Sequence, residues 1–209
     1  ALAEFLFNDE NMISIWEMGR AAWIERQNEY TDFEKKKELG VYVEDYLRKE
    51  LKEELSGLEL SVDVDDQQGG QDIIISIGGE PIYYIEVKSR WTSDKSVMMS
   101  AMQLDRSVEK EDVYSLFAVD MVGYNGGKVK EHIYPETIED FVSRISVITN
   151  IGKQNGEIQP SKRDSDLQVH IGGDYKAVIP QAFIEKNHIH FNEFIEKVLT
   201  PCLLNTVKK

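Results

Sequence analysis

The chain of 209 residues carries 38 acidic and 24 basic side chains, a net charge of −14, which argues against a domain that grips nucleic acid through a broad basic face. A local basic patch, or one supplied by neighbouring domains, remains compatible with that charge. Apolar residues make up 41% of the chain, enough for a globular core, and no apolar run is long enough to span a bilayer. Cys202 is the only cysteine, which excludes an intrachain disulfide and a cysteine-built zinc site and fits a reducing, cytoplasmic compartment with no disulfide-linked partner. The opening stretch ALAEFLFNDENMISIWEMG has neither a basic n-region nor a small-residue cleavage site, so no signal peptide is expected. The missing initiator Met suggests a fragment of a longer protein.

Taken along the chain, residues 10–34 read as a helix, with Met12, Ile15, Trp16, Ala22, Trp23 and Ile24 at mixed three- and four-residue spacing. Its two tryptophans are expected to pack on this domain or on an absent neighbour. A second helix, roughly 36–55, carries the stripe Leu39, Val43, Tyr46, Leu47, Leu51 and Leu55, with Gly57 as its stop. The period then falls to two. LELSVDV (58–64), DIIISI (72–77) and IYYIEVK (82–88) read as strands, the last two joined by a tight GGEP turn. A helix is expected near 98–110, then a buried central strand VYSLFAVDMV (113–122). KVKEHIY (128–134) is expected to add a strand, and PETIEDFVSRI (135–145) a helix with Pro at its first turn. Residues 148–165 read as a long polar loop. A second hairpin, DLQVHI and YKAVIP around GGD, and a helix over 190–204 close the chain. The division expected is an N-terminal helical extension (1–35), a core (36–146) and a C-terminal extension of hairpin plus helix (147–209).

The first hairpin carries the chemistry. Side chains alternate along a strand, so Tyr84, Glu86 and Lys88 share one face and Tyr83, Ile85 and Val87 the other. If the loop is Gly79-Glu80-Pro81, Asp72 falls opposite Lys88; a loop two residues longer sets it opposite Glu86. Either register gathers Asp72, Glu86 and Lys88, whereas an even-length loop puts Asp72 on the far face. Two carboxylates and an ammonium on one face suit a hard cation, Mg²⁺ (or Mn²⁺), held by Asp72, Glu86 and the Val87 carbonyl. Lys88 then orients water and offsets phosphate charge. The plain alternative is a surface ion pair between Asp72 and Lys88. Arg90, Trp91 and Lys95 follow directly, and with Arg106 they form the basic set near this site, expected to contact a nucleic-acid backbone. The alternative there is ordinary surface charge beside a capping Trp. His188 and His190 share a face if that segment is extended, without an evident third ligand, and His132 and His170 have no partners. The Gly pairs lack the spacing of a phosphate-binding loop, and no nucleophile–histidine arrangement is present.

An acidic residue, thirteen intervening positions and Glu-x-Lys on a hairpin, preceded by a helix and strand and followed by a helix and buried strand, resembles the PD-(D/E)XK nuclease-like superfamily. The resemblance implies a restriction-endonuclease-like α/β fold, an αβββαβ core with a central mixed sheet flanked by helices, over about residues 36–122. It implies that Asp72, Glu86 and Lys88 are catalytic. Glu44 in GVYVEDYL would be the helix Glu supporting the metal shell, and Gln103 in MSAMQLDRSV the Gln of the helix after the third strand. Gln71 stands where the superfamily's name has Pro. Read without that likeness, Glu44 is a solvated flank residue of the stripe. The strings GQDI, YYIEVKSR and MSAMQLDRSVEKEDVYSLFAVD are also similar to the domain at the C-terminal end of the plant NO VEIN protein, over Leu39 to Val122. That likeness implies a module of a larger protein with further domains as partners. Two functions are therefore expected in competition. One is a Mg²⁺-dependent endonuclease acting on DNA. The other is a catalytically silent nuclease-fold module that binds nucleic acid or a protein partner.

Overall fold

The computed structural model describes residues 10–58, 62–65, 72–90, 96–122, 141–149, 151–154, 159–160, 170–171 and 177–207. Helix α1 runs unbroken from Glu10 to Leu55, where the sequence reading sets two helices meeting near residue 35. No proline interrupts 10–55, and Gly40 costs a helix interior only about 1 kcal/mol relative to Ala. Contacts divide the chain into two compact units, Ala1–Val41 and Tyr42–Lys209. In the first unit Met18, Trp23 and Ile24 are exposed.

The second unit is an α/β fold around a six-stranded mixed sheet. Strands β1 (Val62–Asp65), β2 (Ile73–Ile77), β3 (Glu80–Arg90), β4 (Val97–Met99), β5 (Tyr114–Asp120), β6 (Ile145–Thr149), β7 (Gln159–Pro160), β8 (His170–Ile171), β9 (Ala177–Ile179) and β10 (Ile189–His190) follow in chain order. The main sheet has the order β1-β2-β3-β5-β6-β10, and β4-β9-β8-β7 form a smaller one. β3 and β5 are parallel, joined through helix α2 (Ala101–Lys110); the other pairs of the main sheet are antiparallel. The expected strand at 113–122 is therefore central, and its apolar run reflects burial on both faces.

Alternation along the strands sorts the core into two layers. Tyr83, Ile85, Val87, Phe117, Val119 and Val147 pack with Val43, Leu47 and Leu51 of α1 and with Phe191, Phe194, Leu199 and Leu203 of the C-terminal helical run. Tyr114, Leu116, Ala118 and Ile148 pack on the other side with Val97, Met99 and Ile179 and with Phe183 and Ile184 of helix α4 (Gln181–Asn187). The residues past 147 thus supply much of the core. That C-terminal run comprises α5 (Phe191–Phe194), a π-helical stretch over Ile195–Leu199 and α6 (Thr200–Val207).

Part of the stretch expected as a polar loop is buried. β6 ends at Thr149, and helix α3 (Ile151–Gln154) follows, with Ile148 and Ile151 fully buried. Gly152 lets α3 lie against α2, since a Cβ there would collide with the Ser107 carbonyl. The expected second hairpin is present as β8–β9, pairing His170 with Val178. The expected strand at 128–134 and most of the helix at 135–145 lie outside the described residues.

Candidate functional site

The site is assembled by a turn and a bulge. Gly78 and Gly79 form a two-residue turn with φ of 59° and 83°, a backbone that glycine adopts without a Cβ penalty. An even loop alone would set Asp72 on the wrong face. Ile77 pairs with Glu80 and Ser76 with Pro81, but Ile75 pairs with Tyr83, so Ile82 is an extra residue in β3. From there Ile73 pairs with Ile85, and one further step sets Asp72 against Glu86. The second of the two expected registers is realised, by a short turn plus a bulge and not by a long loop.

β2 begins only at Ile73, opposite Ile85, so the Val87 backbone has no partner on that strand. Its N–H donates to Asp72 Oδ2 at 2.8 Å. Its carbonyl accepts from Lys88 Nζ at 3.2 Å. The same ammonium donates to Glu86 Oε1 and stands 3.6 Å from Asp72 Oδ2. Three oxygens, from Asp72, Glu86 and the Val87 main chain, therefore face one cation, and that cation is the chain's own lysine.

Glu86 is fully buried, while Asp72 and Lys88 keep 21% and 24% of their side-chain surface. Gln103 donates its amide to Glu86 Oε1, and the Tyr114 hydroxyl donates to Oε2 at 3.3 Å. Gln103 is held by a capping box: its Oε1 accepts from Ser100 N–H at 2.8 Å, and Ser100 Oγ accepts from Gln103 N–H at 3.3 Å. SAMQ at 100–103 is the sequence sign of that cap.

Electrostatics follow from this crowding. Burial pushes the Glu86 carboxyl up to about 8; Lys88 opposes the rise and Asp72 adds to it. Burial, then the Asp72 charge, raise Glu44 to about 7 against the pull of Arg48 and Lys88. Burial disfavours the Lys88 ammonium, but Glu86 and Asp72 outweigh it and hold its pKa above the usual lysine range. Lys88 is a charged group at neutral pH. Tyr114 is pushed above the usual tyrosine range by burial and by Glu86.

Of the expected basic set, the two described arginines each pair elsewhere. Arg90, expected to contact phosphate, is buried and pairs with Asp120 at 3.5 Å. Arg106, one turn beyond Gln103, pairs with Glu109 at 2.9 Å on the exposed side of α2. Lys95 and Trp91 lie outside the described residues. Two residues absent from the sequence reading join the site. Arg48 donates to the Asp72 carbonyl at 3.3 Å and pairs with Asp45. Tyr114 reaches Glu86 from β5. Arg48 is one helical turn from Glu44, a signal that was present; Tyr114 is hidden in an apolar run.

Residues 41–132 match the family model for the C-terminal domain of Protein NO VEIN. That match spans α1 from Val41, the hairpin, α2 and β5, and so covers every residue gathered at this site. No curated protein and no solved structure matches the chain significantly. Among the described residues no helix is long and apolar enough to cross a membrane.

Proposed function

We propose that the NO VEIN-like region is a divalent-metal-dependent nuclease of PD-(D/E)XK type, hydrolysing DNA phosphodiesters within a larger protein. The observation that carries this reading is the cradle of three oxygens around the Lys88 ammonium. The donor set is all oxygen, two carboxylates and a carbonyl, which suits Mg²⁺ or Mn²⁺. Among the described residues no three His, Cys, Asp or Glu side chains form a ready cage. Mg²⁺ commonly needs only one or two carboxylates, with water and substrate phosphate filling its shell.

In this reading Asp72, Glu86 and the Val87 carbonyl hold the cation, and Glu44 supplies a further carboxylate from α1. The ion would act as a Lewis acid on the phosphate and lower the pKa of water. Lys88, displaced from the three oxygens, carries positive charge to water and phosphate. Gln103 keeps Glu86 in place through its amide.

The silent-module reading also has an observation behind it. Glu86 is fully buried and already satisfied, and Lys88 fills the cradle unaided. The two readings part in one assay. Wild type, Asp72→Ala and Lys88→Ala are incubated with linear, single-stranded and supercoiled DNA, and with RNA, in Mg²⁺ and in Mn²⁺. Cutting by wild type at high enzyme concentration, lost in both variants while their circular dichroism is unchanged, supports the nuclease. Equal survival of every substrate with all three proteins supports the silent module.

A further inference from the structure

Glu86 has two carboxylate oxygens with different partners. Oε1 faces Lys88 and Gln103, on the side of Asp72. Oε2 has a different partner, the Tyr114 hydroxyl, which donates to it at 3.3 Å in the buried interior. Tyr114 sits at the first position of β5, beside Tyr84 in the parallel pairing, and is itself fully buried. The carboxylate's terminal torsion is soft, with a broad distribution of angles. A hydroxyl on Oε2 opposes rotation of that torsion, and so keeps Oε1 turned to the shared point.

We propose that Tyr114 is a positioning residue of the cation site, fixing the Glu86 carboxylate so that Oε1 faces the ion bound with Asp72. The proposal rests on the metal-dependent reading above and names a residue which that reading does not require. Outer partners of ligating groups commonly change metal affinity by about 10–100-fold when removed. Here the partner is a neutral donor on the oxygen that does not meet Lys88, so it orients the ligand without competing for Oε1.

The structure also provides a matched control. Tyr83, on the neighbouring strand and facing the other core layer, is equally buried, and its hydroxyl bonds Ser115 Oγ at 2.7 Å. Tyr83→Phe and Tyr114→Phe each delete one buried hydroxyl, but only the second touches Glu86. The test titrates Mn²⁺ alone into wild type and both variants by calorimetry, with thermal unfolding measured alongside. The expected result is a Kd at least about 10-fold weaker in Tyr114→Phe and unchanged in Tyr83→Phe, whatever each does to Tm. Binding by all three proteins with equal Kd overturns the positioning role and leaves the metal site standing. Equal weakening in both variants overturns it too, because the effect is then one of general stability. No binding by wild type overturns both this role and the metal-dependent reading.

Discussion

At the residue scale the site is a contest between burial and charge. Burial pushes the Glu86 and Glu44 carboxyls up to about 8 and about 7, from an ordinary glutamate value of 4.5. The folded protein therefore binds more protons than the unfolded chain between about pH 4.5 and about pH 8, and stability falls as pH rises through that window. Groups facing Glu86 are Asp72, Lys88 and Tyr114; those facing Glu44 are Asp72, Arg48, Lys88 and Asp45. Urea unfolding of metal-free protein at pH 5, 6, 7 and 8 should show this fall, and Glu86→Gln should flatten it. A wild-type profile that rises through the window, or matches that of the variant, contradicts the assignment. Arg90 makes a different case. Buried against Asp120, it holds the ends of β3 and β5 together, where the Met121 N–H also donates to the Arg90 carbonyl at 2.9 Å. Arg90→Met should cost about 1–3 kcal/mol in chemical denaturation and leave the salt dependence of any DNA binding untouched. A reduced salt slope at unchanged stability would return Arg90 to the phosphate contacts. Its sequence position beside Lys88 suggested such a contact, because nothing local announces a partner thirty residues away.

At the element scale the strand alternation of Tyr84, Glu86 and Lys88 is legible because it depends only on neighbours. The register is not, because it depends on where a bulge falls. The two-residue Gly78-Gly79 turn stands in place of the expected odd-length loop, and only the extra Ile82 returns Asp72 to the Glu86 face. β4 and β10 escape notice because three- and two-residue strands carry no readable period. β6 escapes because it follows directly on a helical pattern, so its apolar residues extend that pattern. The close approach of α3 to α2 is equally invisible in sequence. Gly152→Ala should lower stability by about 1–3 kcal/mol through overpacking against the Ser107 backbone, read as a drop in the urea midpoint. An unchanged midpoint would mean that α3 shifts freely and is not pinned to α2.

For the whole molecule, the question is whether the chain beyond the NO VEIN-like match is an attachment or part of the same fold. Phe191, Phe194, Ile195, Leu199 and Leu203 are buried in the layer that also holds α1 and the inner face of β3. Burial of such side chains contributes about 1.5–3 kcal/mol each. Five together rival the ~5–15 kcal/mol that a domain's stability amounts to. A chain ended at His190 should therefore lose its cooperative thermal transition and be cut rapidly by protease. Retention of a sharp transition would show that the chain up to His190 folds without the C-terminal helical run. The central proposal is narrower: that Asp72, Glu86 and the Val87 carbonyl hold a divalent cation. Its most direct test is a calorimetric titration of Mg²⁺ and Mn²⁺ into wild type and Asp72→Ala at pH 8, with both proteins folded by circular dichroism. The account predicts weak, saturable binding of one ion by wild type, lost in Asp72→Ala. No heat of binding in wild type, or binding that persists unchanged without Asp72, would contradict it.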